Sequence, residues 1–316
     1  MTPDPSSVEV FFSQNTSTPI EQLFLPETQD SGVNLWLKRD DLVHDRVSGN
    51  KFRKLKYNAL HACETGNTRL LSFGGAYSNH IYALAALGAA LGFETVGLIR
   101  GEELDGDNPT LAFAQQCGMK LHFISRDEYR RKTNPEFIEK LRMQLGDFYL
   151  IPEGGTNDKA IRGCAELSRE IRSQIDADFL CVACGTGGTI AGLITGADVK
   201  TRVLGYPALK GADFLTDEVQ SLIPDDNATI WELVHDYHFG GYARINKQLV
   251  DFMRIFHQQS GVQLDPIYTA KMLFGVIDMI KKGFFPEGSN VIAIHTGGLQ
   301  GLDGKRQEMA RFLGDL

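Results

Sequence analysis

Residues 68–101 read TRLLSFGGAYSNHIYALAALGAALGFETVGLIRG. An apolar run of strand length, 68–75, ends in two glycines. An alanine- and leucine-rich segment, 78–92, follows and is too long and too rich in helix formers for a strand. A second apolar run, 94–101, closes on Gly101. Ser78 stands where a helix needs an N-cap oxygen for its first-turn N–H groups. The pattern continues with a helix at 108–118, where Gly118 is a plausible left-handed stop, and a strand at 120–125. Strands alternating with helices predict a parallel sheet covered by helices.

The same alternation resumes downstream. FYLIPEGGTN (148–157) is a strand entering a turn, and AIRGCAELSREIRSQI (160–175) has helical spacing. DFLCVACGTGGT (178–189) is a strand entering a glycine loop, and 190–197 opens a helix. A strand at 202–209, helices at 245–261 and 267–283, and a last strand entering HTGG (290–298) complete the series. The fold class is α/β, with two open, twisted, mostly parallel sheets flanked by helices. A chain of 316 residues makes two domains the natural expectation. No linker stands out, so the boundary follows from topology.

The net charge of −8 argues against a broad nucleic-acid surface. The N-terminus lacks a basic segment followed by an apolar one, so no secretory signal is expected. No apolar run reaches the length of a membrane span. Five scattered cysteines fit a reducing cytoplasm better than a disulfide framework. Cys181 and Cys184 form C-x-x-C, but residues i and i+3 of a strand face opposite ways. We read the pair as buried strand, not as a redox or metal motif.

Three glycine turns, 74–80, 184–189 and 295–301, follow apolar strands. In open α/β sheets ligands sit beyond the carboxyl ends of strands. GTGGT lets backbone N–H groups and the threonines Thr186 and Thr189 approach an anion, or it is simply a turn. Its spacing matches neither the dinucleotide fingerprint nor the P-loop, so the anion pictured is a single phosphate monoester. In VSGNKFRKLKYN (47–58), Arg53, Lys54 and Lys56 read as a solvated helix face. Lys51 lies at the helix start, where a cation is disfavoured. Its amine is a candidate for condensation with an aldehyde.

In order, KRDD, SGNKFRKL, GGAYSNH, PEGGTN, CGTGGT, GGY, DPIYTAK and HTGG resemble the 1-aminocyclopropane-1-carboxylate deaminase / D-cysteine desulfhydrase family. These are pyridoxal 5′-phosphate enzymes of the tryptophan-synthase-β-like fold type, and the likeness runs from about Leu35 to Gly301. The resemblance implies that Lys51 carries the cofactor and that Gly185, Thr186, Gly187, Gly188 and Thr189 hold its phosphate. It implies that Asn79 meets the cofactor's 3′-oxygen. Ser78, with the amides of Asn79 and His80, would take the substrate carboxylate. Tyr242 and Tyr268 match the two active-site tyrosines. A small domain of 52–158, a large one of 1–51 plus 159–316, a cofactor in the cleft between them, a small amino-acid substrate and a homodimer are expected on the same basis.

The two family activities make different demands. Cysteine has a Cα hydrogen for Lys51 to remove, with hydrosulfide leaving from Cβ. The cyclopropane substrate has none and calls for a stronger electron sink, supplied by a carboxylate beside the pyridine nitrogen. The family's deaminases resemble one another in having Glu and Leu where this chain has Thr269 and Thr296. A threonine hydroxyl donates to that nitrogen without holding it charged, which favours elimination from D-cysteine over ring opening. Tyr77 stands where relatives commonly have Gln, and HIYALAA lacks their polar continuation. This implies a changed pocket floor and admits another D-amino acid as substrate.

Overall fold

The computed structural model describes residues 2–14, 17–101 and 108–313. Its strands are β1 (Ile20–Gln22), β2 (Asn34–Lys38), β3 (Arg69–Gly74), β4 (Glu94–Arg100), β5 (Lys120–Ile124), β6 (Tyr149–Ile151), β7 (Phe179–Cys184), β8 (Arg202–Pro207), β9 (Trp231–Leu233) and β10 (Asn290–Ile294). One sheet has the order β1-β2-β10-β7-β8-β9, the other β5-β4-β3-β6. Every pairing is parallel except β1 with β2.

β7 shows why the larger sheet forms. All six of its residues are buried, as a central parallel strand with helices on both faces requires. Cys181 faces one core with Leu204, Val276 and Ala293, while Cys184 faces another with Ile190 and Leu193. Both thiols are free, and burial pushes each up to about 12. The opposite-face reading of C-x-x-C therefore holds.

The helices that position the glycine loops pack through small residues. A Cβ on Gly163 would lie 2.0 Å from the Arg53 carbonyl oxygen, so the helices Asn50–Glu64 and Asp158–Gln174 touch backbone to backbone. Gly192 and Gly196 allow the same approach to Cys164 and Ala165. The carboxyl ends of β3, β7 and β10 then deliver the three glycine turns to one cleft, joined there by Gly154 after β6.

The structure adds elements that the sequence pattern did not assign: β1, β2, β9 and the helices Pro5–Ser13, Pro26–Gln29, Arg126–Arg130, Pro135–Leu145, Phe214–Leu222 and Gly301–Leu313. β1 and β9 have three residues each, below the length at which alternation is legible.

The solvated face expected of Arg53 and Lys54 is wrong, because the Asp158–Gln174 helix covers it. Arg53 is 5% and Lys54 2% exposed. Arg53 donates to Asp40 Oδ1 at 2.6 Å and pairs with Glu170 Oε2 at 2.7 Å. Glu170 also accepts from Lys38 at 2.5 Å. Removing one member of such a buried group typically costs about 3–5 kcal/mol, because it strands the others. Lys56 is the partly exposed residue of the three and pairs with Glu166.

Candidate active site

The cleft holds about 530 Å³ of empty space, part of it open to solvent. The Asn50–Glu64 helix starts on Gly49, whose φ of 58° and ψ of −137° suit glycine alone. A Cβ there would lie 1.9 Å from the Thr296 carbonyl oxygen, and one on Gly297 would lie 2.4 Å from Ser48 Oγ. The loop preceding Lys51 is thus pressed onto the loop leaving β10, and both Lys51 and Thr296 line the cleft.

On the opposite wall β7 ends at Cys184 and the Gly188–Gly196 helix begins after Gly187, which has a φ of 75°. Gly185, Thr186, Gly187 and Thr189 line the cleft there. Gly188 lies just behind, where a Cβ would meet Thr156 Oγ1 at 2.7 Å and Lys54 Nζ at 3.0 Å. Asn50 Nδ2 donates to Thr189 Oγ1 at 2.8 Å, and the Thr186 and Thr156 hydroxyls share a hydrogen bond of 2.6 Å.

Lys54 is the cleft residue that the sequence reading missed. Its amine donates to Gly154 O at 3.0 Å and Thr156 Oγ1 at 3.1 Å, both uncharged. The signal was present: Lys51 and Lys54 are three apart on a helix and share a face. Among the described residues no carboxylate lines the cleft or pairs with either lysine. Two amines beside a helix N-terminus with no protein anion fit a phosphate monoester, and a nearby neutral amine fits an aldehyde. The residues therefore fit pyridoxal phosphate. The Gly185–Thr189 loop and Lys54 would hold its phosphate, and Lys51 would bond its aldehyde carbon.

Ser78 caps the Asn79–Leu91 helix by accepting from Ile81 N–H at 3.3 Å. The N–H groups of Asn79 and His80 lie in the first turn, which has no intrahelical acceptors. Asn79 lines the cleft, and its Oδ1 accepts from Gln300 Nε2 at 2.6 Å, leaving its amide hydrogens for a ligand. The His80 ring turns inward. The single Ser72 hydroxyl hydrogen goes to Ile151 O at 2.7 Å, so the His80 Nε2 at 2.9 Å must donate to Ser72 Oγ. Burial, with Lys51 and Lys54 nearby, holds this imidazole well below its ordinary pKa, and it is neutral. Only its backbone amide is available to a substrate. Tyr77 is 42% exposed and lies against Gly304, outside the set of residues lining the cleft.

Tyr268 lines the cleft and Tyr242 stands beside it, with ring centroids 6.1 Å apart at 64°. Burial raises both phenols above their usual pKa, and Tyr268 is raised further by Tyr242. Both are protonated near neutral pH. His295 is a satisfied strand-end residue: Nε2 donates to Gln263 O at 2.7 Å, and Nδ1 accepts from Gly297 N–H.

Thr269 requires a correction. Its hydroxyl donates to Asp265 Oδ2 at 2.6 Å and accepts from Asp265 N–H at 3.0 Å. Its one hydrogen is spent, it is fully buried, and it does not line the cleft. It cannot also donate to a pyridine nitrogen. Asp265 is saturated in turn, accepting from the backbones of Ile267, Tyr268 and Thr269. Of the two threonines, Thr296 is the one that faces the cleft.

Desolvation, with Lys54 adding repulsion, lowers the Lys51 amine from 10.5 to about 7. Its neutral, nucleophilic fraction therefore rises as pH increases through about 7 and then saturates. The rate at which cofactor-free protein takes up pyridoxal phosphate, followed by the visible band, is expected to climb about tenfold per pH unit below that value and then level off. A rate still climbing past about pH 9 would mean an ordinary, solvated lysine.

Comparison with known proteins points to the same cofactor. Residues 12–297 match the family described as "Pyridoxal-phosphate dependent enzyme". The bifunctional D-cysteine desulfhydrase/1-aminocyclopropane-1-carboxylate deaminase of Arabidopsis thaliana, a mitochondrial protein, is 32% identical over 98% of this chain and 83% of its own. The D-cysteine desulfhydrase of Klebsiella pneumoniae is 30% identical over 90% of this chain and 92% of its own. A crystal structure described as an ACC deaminase homologue superposes with a TM-score of 0.82 at 27% identity, covering 94% of each chain. The loops, the lysine at the helix start and the sheet orders all belong to one scheme: this chain is a member of the pyridoxal-phosphate dependent enzyme family.

Proposed function

We propose that this protein is a lyase that eliminates hydrosulfide from D-cysteine, giving pyruvate, ammonia and sulfide with the uptake of one water. The observation that carries the reading is the absence of any carboxylate among the described residues lining the cleft, with Thr296 facing it. When bound, pyridoxal phosphate supplies a ring that withdraws electrons from the substrate's Cα. The protein's own groups do the rest. The Ser78 hydroxyl and the amides of Asn79 and His80 hold the substrate carboxylate at the positive end of a helix. Asn79 Nδ2, left free by the Gln300 bond to Oδ1, would donate to the cofactor's 3′-oxygen. Lys51, neutral above about pH 7, takes the Cα proton. The Tyr268 phenol, protonated and backed by Tyr242, delivers a proton to the departing sulfur.

The test is purified, cofactor-loaded protein given D-cysteine and 1-aminocyclopropane-1-carboxylate side by side, with pyruvate, sulfide and 2-oxobutyrate all measured. Pyruvate and sulfide from D-cysteine alone are expected. 2-Oxobutyrate from the cyclopropane would instead assign ring opening and defeat the argument from the missing carboxylate. Neither product would direct the search to a different D-amino acid.

Three further points belong to this proposal. The four-stranded sheet lies within 52–158, and the six-stranded one uses 1–51 and 159–316, which supports that division into domains with the cleft between them. Among the described residues no helix is long and apolar enough to cross a membrane; the reading of a reducing, cytoplasmic setting rests on the five free cysteines. A homodimer rests on the family likeness, and sedimentation would test it.

A further inference from the structure

The helix Thr269–Lys281 starts immediately after Tyr268. Asp265 fixes this tyrosine by accepting its backbone N–H at 2.8 Å. Tyr242 has no comparable anchor of its own, because it lies in an irregular stretch. There His238 O accepts from Gly241 N–H at 3.0 Å and Gly241 O accepts from Arg244 N–H at 3.1 Å, forming two successive turns. Phe239, with φ 51°, and Ala243, with φ 55°, are the only non-glycine residues of positive φ among the described residues, and both fall in these turns. Gly240 and Gly241 are also positive, at 89° and 116°. Such a backbone persists only when its surroundings over-determine it.

One side chain does so. Lys271 is 2% exposed, and its Nζ donates to His238 O at 3.0 Å and to Gly241 O at 2.8 Å. It therefore binds the carbonyls that open both turns, on either side of Phe239 and Gly240 and directly before Tyr242. Among the described residues it pairs with no carboxylate, an expensive arrangement for an ammonium unless those carbonyls use it. Asp265 lies near enough to raise its pKa and Lys305 near enough to lower it, while burial brings it down to about 8.

We infer that Lys271 is a positioning residue that clamps the 238–244 turns and so sets the Tyr242 phenol against Tyr268. The start of one helix thereby orients both tyrosines, Tyr268 through Asp265 and Tyr242 through Lys271. The inference rests on the reading of the cleft as a lyase site.

The experiment compares Lys271→Met, Tyr242→Phe and the double variant as holoenzymes. For each, kcat and KM for elimination from D-cysteine, the visible cofactor band, and amide hydrogen exchange of residues 238–244 are measured. Lys271→Met is expected to leave the band unchanged, to speed exchange in this segment, and to lower kcat by roughly ten- to a hundred-fold, as misplacing a reacting group does. In the Tyr242→Phe background the same change should lower kcat less than about twofold, since the residue to be positioned is already disabled. An equal loss in both backgrounds, or unchanged exchange, would overturn the inference. Lys271→Gln, which keeps a donor on a shorter side chain, serves if the methionine variant does not fold; changes in the same directions but smaller are then expected, and none in either exchange or kcat would overturn the inference. If the wild type does not act on D-cysteine, the D-cysteine reading fails, while the exchange measurement still decides whether Lys271 clamps the turns.

Discussion

Lys51→Ala is expected to abolish the cofactor's covalent attachment and to lower turnover by about a thousandfold or more, because it removes both the bonding amine and the base. The visible band of the bound cofactor should shift to that of the free aldehyde. Loss of folding is not the expected cause. A lysine whose folded-state pKa is lowered from 10.5 to about 7 is held in its less favoured neutral form. Its penalty on the folded state is absent above the unfolded pKa, grows as pH falls, and is complete below about 7. Cofactor-free Lys51→Ala should therefore melt at or above the wild-type temperature, with the difference widening toward acid. A variant that melts lower while retaining activity would remove Lys51 from the chemistry.

The largest structural effect is expected at Gly49→Ala. Its φ of 58° with ψ of −137° is strained for any L side chain, and the added methyl would sit 1.9 Å from the Thr296 carbonyl oxygen. The obstacle is backbone from a loop that also lines the cleft, so it cannot swing aside as a flexible side chain can. Strain and clash together should cost about 3–5 kcal/mol. The denaturant midpoint of the cofactor-free protein should fall at constant m-value, and cofactor affinity should fall with it. Gly66→Ala isolates the backbone part, because Gly66 has a φ of 71° and nothing within 4 Å of its Cβ position. That control should lose only about 1 kcal/mol. Equal losses at the two positions would mean that the two loops are not pressed together as described.

Why some features were legible and others were not comes down to the range of the forces involved. The strand–helix alternation of 68–101 and the buried run at β7 are set by period and length, which are local properties. So are the Ser78 cap and the glycine at the end of 108–118, because a cap answers to the next few backbone groups. The position of Lys51 at a helix start was local too, and the order of the motifs placed the chain in its family. Which polar side chain is buried, and against what, was not local. Arg53 and Lys54 carry the same charge in sequence as any surface pair. They are buried because a helix more than a hundred residues away packs across them through Gly163.

Thr269 and Lys271 teach the same lesson at the site itself. From DPIYTAK, a threonine after a tyrosine offers a free hydroxyl, and nothing local singles out the lysine two residues on. In the fold, Asp265 captures that hydroxyl, and Lys271 reaches back to carbonyls some thirty residues earlier. The sequence by itself determined the parallel α/β scheme, the glycine loops at strand ends, the lysine that can bear a cofactor and the family. Only the tertiary structure decided which hydroxyl faces the cleft, which second lysine lines it and which carbonyls Lys271 binds. Periodicity and capping act over a few residues, whereas a buried hydrogen bond is awarded by whichever groups long-range packing brings within about 3 Å.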